Sequence, residues 1–188
     1  MPSRTQIVCL HEGKDGRSID PLFIRALIKA LDPAWIRPWE GSNVVRTVAC
    51  GGRSELGKQV ASEISACAAM GSKTTLMVWA DLDDDMADGD SLVADMWNTA
   101  KASGVSRQEF DNVVFVFAKD RIENWIEFLE TGATKEEREG PRIKFPRQAS
   151  DAAKRLAEIC RTSQKIDLPP SLSWSCKNWK RLVARMAD

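Results

Sequence analysis

Four apolar runs, each leading within a few residues into a helical stripe, constrain the fold of this chain more than any other feature. The runs cover residues 6–11, 44–50, 74–80 and 113–118. Each is short and several are rich in β-branched or aromatic residues, as strands are. The stripes behind them recur at three- and four-residue spacing: Ile24, Leu27, Ile28 and Leu31; Leu56, Val60, Ile64 and Cys67; Leu92, Val93, Met96, Trp97 and Ala100; Ile122, Trp125, Ile126 and Leu129. Strands alternating with helices over short connections build right-handed βαβ units and a parallel sheet. The expectation is an α/β protein. Residues 1–130 form a mainly parallel four-stranded sheet flanked by helices, and residues 131–188 add a basic loop and C-terminal helices packed on the same domain. A length of 188 residues suits one such unit.

The third run ends abruptly. Leu76 to Ala80 are apolar, and Asp81, Asp83, Asp84 and Asp85 follow within five residues. A continuous apolar run suits a strand buried on both faces, and the carboxyl ends of such strands are where open α/β sheets place ligands. Carboxylates this close repel one another, so a site that holds them needs a cation or protons. One reading is a strand delivering Asp81 and Asp83 to a Mg²⁺ site. The other is a solvated acidic loop capping a helix that begins near Asp90 and Ser91. The remaining strand ends carry Glu12-Gly13-Lys14, Gly51-Gly52 and Lys119. A parallel sheet gathers all of these along one edge, which favours the metal reading. Gly51-Gly52 before a helix can cradle a phosphate on backbone N–H groups or serve as a plain tight turn. His11, the sole histidine, reads as structural, since no partner is visible for it.

Net charge is zero but unevenly spread. Residues 1–137 carry 15 Lys/Arg against 22 Asp/Glu, and residues 138–188 carry 12 against 5. The basic section either grips phosphates or neutralises the acidic front. Its loop, 131–148, reads as mobile and includes Lys135, Arg138, Arg142, Lys144 and Arg147. One helix is expected from near Ser150, with Leu156, Ile159 and Cys160 inward. Another is expected from near Ser173 or Ser175, with Trp179, Leu182, Val183 and Met186 inward, and Pro169-Pro170 separates the two. Trp35 and Trp39 read as packing over the sheet edge. The five cysteines form no CxxC pair and read as buried thiols. No apolar stretch nears the roughly 18 residues of a membrane helix, and no signal-peptide core is present. The expected location is the cytoplasm, with no membrane contact.

His11-Glu12-Gly13-Lys14-Asp15, the Gly51-Gly52 turn and Ala80-Asp81-Leu82-Asp83 together resemble the Toprim domain of bacterial primases, topoisomerases and OLD-family nucleases. The resemblance covers roughly residues 5–130, and Arg121 to Ile126 also looks like a piece of small stand-alone Toprim-like proteins. It implies a Toprim-like sheet and a small Mg²⁺- or Mn²⁺-dependent nuclease acting on DNA or RNA, of the kind that serves phage defence with a separate ATPase partner, and open to oligomerisation. Asp81 and Asp83 would bind the metal, and Glu12 would be a further ligand or the general base. Asp85 or Glu123 would help hold a second ion, and Lys14 or Lys119 would stabilise the transferring phosphate. The chain contains no Tyr, so tyrosine-based strand passage is excluded. A receiver-like signalling domain, a binding or toxin-type subunit without cleavage, and an Asp-x-Asp sugar transferase are the competing readings.

Overall fold

A computed structural model describes residues 7–14, 18–31, 45–71, 74–83, 88–162 and 166–184. Trp35, Trp39, Asp84, Asp85 and Met186 lie outside the described residues, as do the side chains of Leu182 and Val183. The element order is β1 (Ile7–His11), α1 (Asp20–Leu31), β2 (Val45–Ala49), α2 (Arg53–Met70), β3 (Thr75–Leu82), α3 (Gly89–Ala102), α4 (Arg107–Asp111), β4 (Val114–Lys119), α5 (Ile122–Thr131), α6 (Pro146–Arg161) and α7 (Pro170–Ala184). The four strands form one all-parallel sheet in the order β2-β1-β3-β4. Strand order reverses between β1 and β3, which makes their shared carboxyl end a topological switch point.

Alternation along each strand sends side chains to opposite faces. Ile7, Cys9, Met77, Trp79, Val114 and Val116 meet α1, α5, α6 and α7 on one face. Val8, Leu10, Leu76, Val78, Ala80, Phe115 and Phe117 meet α2, α3 and α4 on the other. An aromatic cluster fills the centre of the first face. Trp79 lies parallel to Trp179 at a centroid distance of 6.4 Å, and edge-on to Phe23 and Trp125, each at 6.3 Å. Rings at these separations add attraction beyond the area they bury.

The elements depart from expectation at three places, each for a local reason. Helix α4 was not anticipated, although Ser106 and Glu109 form a capping box: the Ser106 hydroxyl accepts from Glu109 N at 3.3 Å, and the Glu109 carboxylate accepts from Ser106 N at 2.9 Å. Helix α6 begins at Pro146, four residues before Ser150, with Gln148 Oε1 accepting from Phe145 N. Helix α7 begins at Pro170, so this proline opens a helix and does not merely separate two. Proline suits the first helical position because its missing N–H would have no partner there.

The 132–145 segment has no helix or strand, yet it is anchored at two points. Glu136 is buried; its carboxylate accepts from Ser171 N at 3.2 Å and from the Ser171 hydroxyl. Asn124 Nδ2 donates to the Lys119 and Arg138 carbonyls. Lys135, Arg138, Arg142, Lys144 and Arg147 are all exposed, and Arg147 pairs with Asp151 at 3.1 Å.

Helix α7 does for β4 what a fifth strand would do. Ser175 Oγ accepts from Phe117 N and donates to Phe117 O, both at 3.0 Å. Ser171 Oγ accepts from Lys119 N at 3.1 Å, and Asn178 Nδ2 donates to Phe115 O at 3.0 Å. These residues are spaced four and three apart on one helix face, and the backbone groups they meet alternate along the strand edge. A sheet edge covered in this way offers no template for another chain. Ser175→Ala would strand a buried N–H and a buried C=O. It is expected to cost about 2–4 kcal/mol in denaturant unfolding, against roughly 0.5 kcal/mol or less for Ser173→Ala on the same helix. Equal effects of the two substitutions would remove the edge-capping role.

Candidate active site

The site grows from the alternation of β3. Asp81 follows Trp79 on the first face and so points toward the helices that begin there. Register places Asp81 beside Ala118, with Leu82 beside Lys119. Helices α1 and α5 both start at this edge, with Asp20 and Glu123 in their first turns. At the end of β4, Asp120 adopts a left-handed φ of 60°, a conformation that Asp tolerates better than most residues. This sharp turn starts α5 two residues later and carries Glu123 over the sheet edge.

Glu12 follows β1. Its Oε1 accepts from Asp81 N and from Arg53 Nε, each at 3.3 Å. The next residue must be small: a Cβ on Gly13 would overlap the Ser18 side chain. Ser18 in turn donates its hydroxyl to Asp20 Oδ2. His11 is 2% exposed, with Nδ1 4.0 Å from Asp20 Oδ2. A cavity of about 180 Å³ opens between these groups, lined by Glu12, Asp20, Trp79 and Asp81, with Ala118 and Ile122 behind.

Arg53 is the main counter-charge. Gly51 and Gly52, with φ of 78° and 142°, turn the chain from β2 into α2 and put Arg53 at the first helical position. Its guanidinium reaches Glu12, the Asp81 carbonyl, and Asp83 Oδ2 at 2.9 Å. One cation cannot balance this many acids. Burial, then the charges of Asp20, Glu12 and Glu123, together push the Asp81 carboxyl up to about 8, with Arg53 opposing them. Burial, then the charges of Glu123 and Glu12, raise Asp20 to about 6. Glu12 and Glu123 are also raised above the usual carboxylate range, in both cases chiefly by burial.

Of the residues singled out in the sequence, Glu12, Asp81 and Glu123 share this electrostatic cluster. Asp83 stands at its rim, 65% exposed and paired with Arg53. Lys119 Nζ donates to the Asp83 carbonyl at 2.8 Å, and Lys14 is exposed beyond Gly13. Asp85 is outside the described residues. Sequence reasoning missed Asp20 and Arg53. Asp20 precedes Pro21 at a helix start, which by itself signals no more than a cap; Arg53 follows the Gly-Gly turn, and that position at a helix start on the switch-point edge was the available signal.

Among the described residues, no group of three or more His, Cys, Asp or Glu side chains converges tightly enough to hold a metal ion as they stand. The donor chemistry nevertheless fits a hard divalent ion. The cavity acids are all-oxygen donors, as Mg²⁺ prefers. In addition, the buried Trp79 Nε1–H has no acceptor among the described residues although Trp79 lines the cavity. Such an orphaned donor suits an oxygen brought in by water or substrate.

The raised acids fix the sign of a pH effect. Folded Asp81 keeps its proton to about 8, whereas an unfolded aspartate loses it near 3.9. The group therefore stabilises the fold most at low pH; that contribution falls as pH rises from about 4 and is lost above about 8. Asp20 acts in the same sense up to about 6. Metal-free protein should melt lower at pH 8 than at pH 5, and Asp81→Asn should flatten that slope and melt higher than wild type at pH 8. Parallel curves for the two proteins would contradict the repulsion described here.

Comparison with known protein families, with curated proteins and with solved structures returned no match.

Proposed function

We propose that this protein carries out divalent-metal-dependent chemistry on nucleic-acid phosphodiesters, as a small nuclease of the Toprim type. The observation that carries the reading is that Glu12, Asp20 and Asp81 line one cavity at the switch point of a parallel sheet, with the Glu123 charge acting on both aspartates. Two strands and two helix starts converge to hold charge that their own counter-ion, Arg53, does not balance.

Asp20 and Asp81 would hold Mg²⁺ or Mn²⁺, with Glu123 and Asp83 beside them. The ion, when bound, supplies Lewis-acid stabilisation of a phosphoryl oxygen. Glu12 sits on the cavity wall with one oxygen tied to Asp81 N, and its raised affinity for a proton suits it to take one from an attacking water. Lys14, next to Gly13 of the cavity wall, and Lys119, whose Nζ reaches the Asp83 carbonyl, would offset charge on the phosphate. The exposed basic residues from Lys135 to Arg147 would meet neighbouring phosphates. Among the described residues no helix is long and apolar enough to cross a membrane. A cytoplasmic location and an ATPase partner belong to this proposal.

A second reading, a binding subunit without cleavage, draws on Arg53. A guanidinium already bridging Glu12 and Asp83 can act as a built-in counter-ion that replaces a metal.

Single- and double-stranded DNA and RNA, incubated with Mg²⁺ or Mn²⁺, should be cleaved. Asp81→Asn and Glu12→Gln should each lower the rate by about a hundredfold or more while circular dichroism stays native. Folded wild type that cuts none of the four substrates supports the binding reading. Cutting unaffected by either substitution removes the site assignment.

A further inference from the structure

The five cysteines do not share one environment. Cys9 is buried on one face of the sheet and Cys50 and Cys67 on the other, and burial pushes all three thiols up, Cys50 and Cys67 to about 11. Cys160 and Cys176 differ. Cys160 lies in the last turn of α6 and is half-buried, whereas Cys176 lies in the second turn of α7 and is 5% exposed. Their sulfurs are 3.8 Å apart, and Trp179 Nε1 donates to Cys160 Sγ at 3.4 Å. A hydrogen bond from Cys176, with help from Trp179 and the Lys180 charge, holds the Cys160 thiol below its ordinary range against the opposing effect of burial. The same contact and burial raise Cys176.

We infer that Cys160 and Cys176 form a reversible thiol-oxidation site, in which the half-buried Cys160 meets a peroxide and the buried Cys176 resolves it into a disulfide between α6 and α7. Accessibility and thiolate character select the first sulfur. Cys160 Sγ attacks one peroxide oxygen, the O–O bond breaks, and the leaving hydroxide takes a proton to become water. Cys160 is then a sulfenic acid. Cys176 Sγ attacks Cys160 Sγ, the S–O bond breaks, and the departing hydroxide takes the Cys176 proton as a second water. Two thiols lose two electrons in all, and one peroxide becomes two waters. The sulfurs, now 3.8 Å apart, would close to about 2.05 Å. A dithiol reductant reverses the step. The bond ties α6 to the helix that caps β4 and holds Lys119 N, so it sits one element away from the acidic cavity without involving its residues. The inference does not depend on the nuclease reading.

The test treats the intact folded protein with hydrogen peroxide near equimolar amounts, blocks remaining thiols with a maleimide after denaturation, and maps the peptides. The expected result is a loss of about 2 Da, a linked pair of peptides containing Cys160 and Cys176, three blocked thiols, and full reversal by dithiothreitol. Cys176→Ser should stop at a Cys160 sulfenic acid that dimedone captures. Cys160→Ser should slow peroxide consumption by about tenfold or more and leave Cys176 unmodified. A link between two chains, oxidation spread over Cys9, Cys50 and Cys67, or five free thiols after treatment of folded protein would each overturn the inference.

Discussion

Negative charge held out of water at one end of a parallel sheet is the constraint on which the rest of this structure turns. A single exposed aspartate at a strand end costs nothing. Here Asp81 is drawn beside Asp20, Glu12 and Glu123, and its carboxyl is pushed up to about 8. Arg53 answers part of that charge from the opposite face. What is left must be met by protons, by a metal ion or by a cationic partner. A fold spends stability in this manner where the strain serves binding or catalysis.

The scaffold around the cluster is correspondingly stiff. Trp79, Trp125, Trp179 and Phe23 pack beneath the cavity. Ser171 gathers Lys119 N, Trp125 Nε1 and the Glu136 carboxylate onto one hydroxyl, so α7, α5, β4 and the 132–145 segment are coupled at one point. A buried polar network of this kind specifies position when every member is satisfied. It fixes the end of β4, and with it the Lys119 side chain that reaches Asp83.

The sheet was readable from the chain because its signals are local. The run Leu76 to Ala80 followed by Asp81 has one reading as a strand and its end, and the four strands alternate with four stripes. The segments that escaped notice depend on tertiary partners. Asp20 looks like any helix cap until the sheet order brings α1 and β3 to the same edge. Arg53 looks like a surface residue until the Gly51-Gly52 turn aims it across that edge. The serines of α7 give no apolar stripe, since their role is to meet an edge strand 52 to 58 residues earlier. Pro170 reads as a separator in the sequence because position within a helix, not composition, decides what proline does. The Ser106–Glu109 box, by contrast, was present in the sequence and simply outweighed by the longer stripe before it.

The central claim is that the acids around Asp81 take up a divalent ion. Titration of the metal-free protein with Mn²⁺, followed by electron paramagnetic resonance of the free ion, tests it most directly. The account predicts loss of the free-ion signal with wild type, recovery when Mg²⁺ is added in excess, loss retained with Glu12→Gln, and little or no loss with Asp81→Asn or Asp20→Asn. Folded wild type that leaves the Mn²⁺ signal unchanged, or an Asp81→Asn variant that titrates as wild type does, would contradict it.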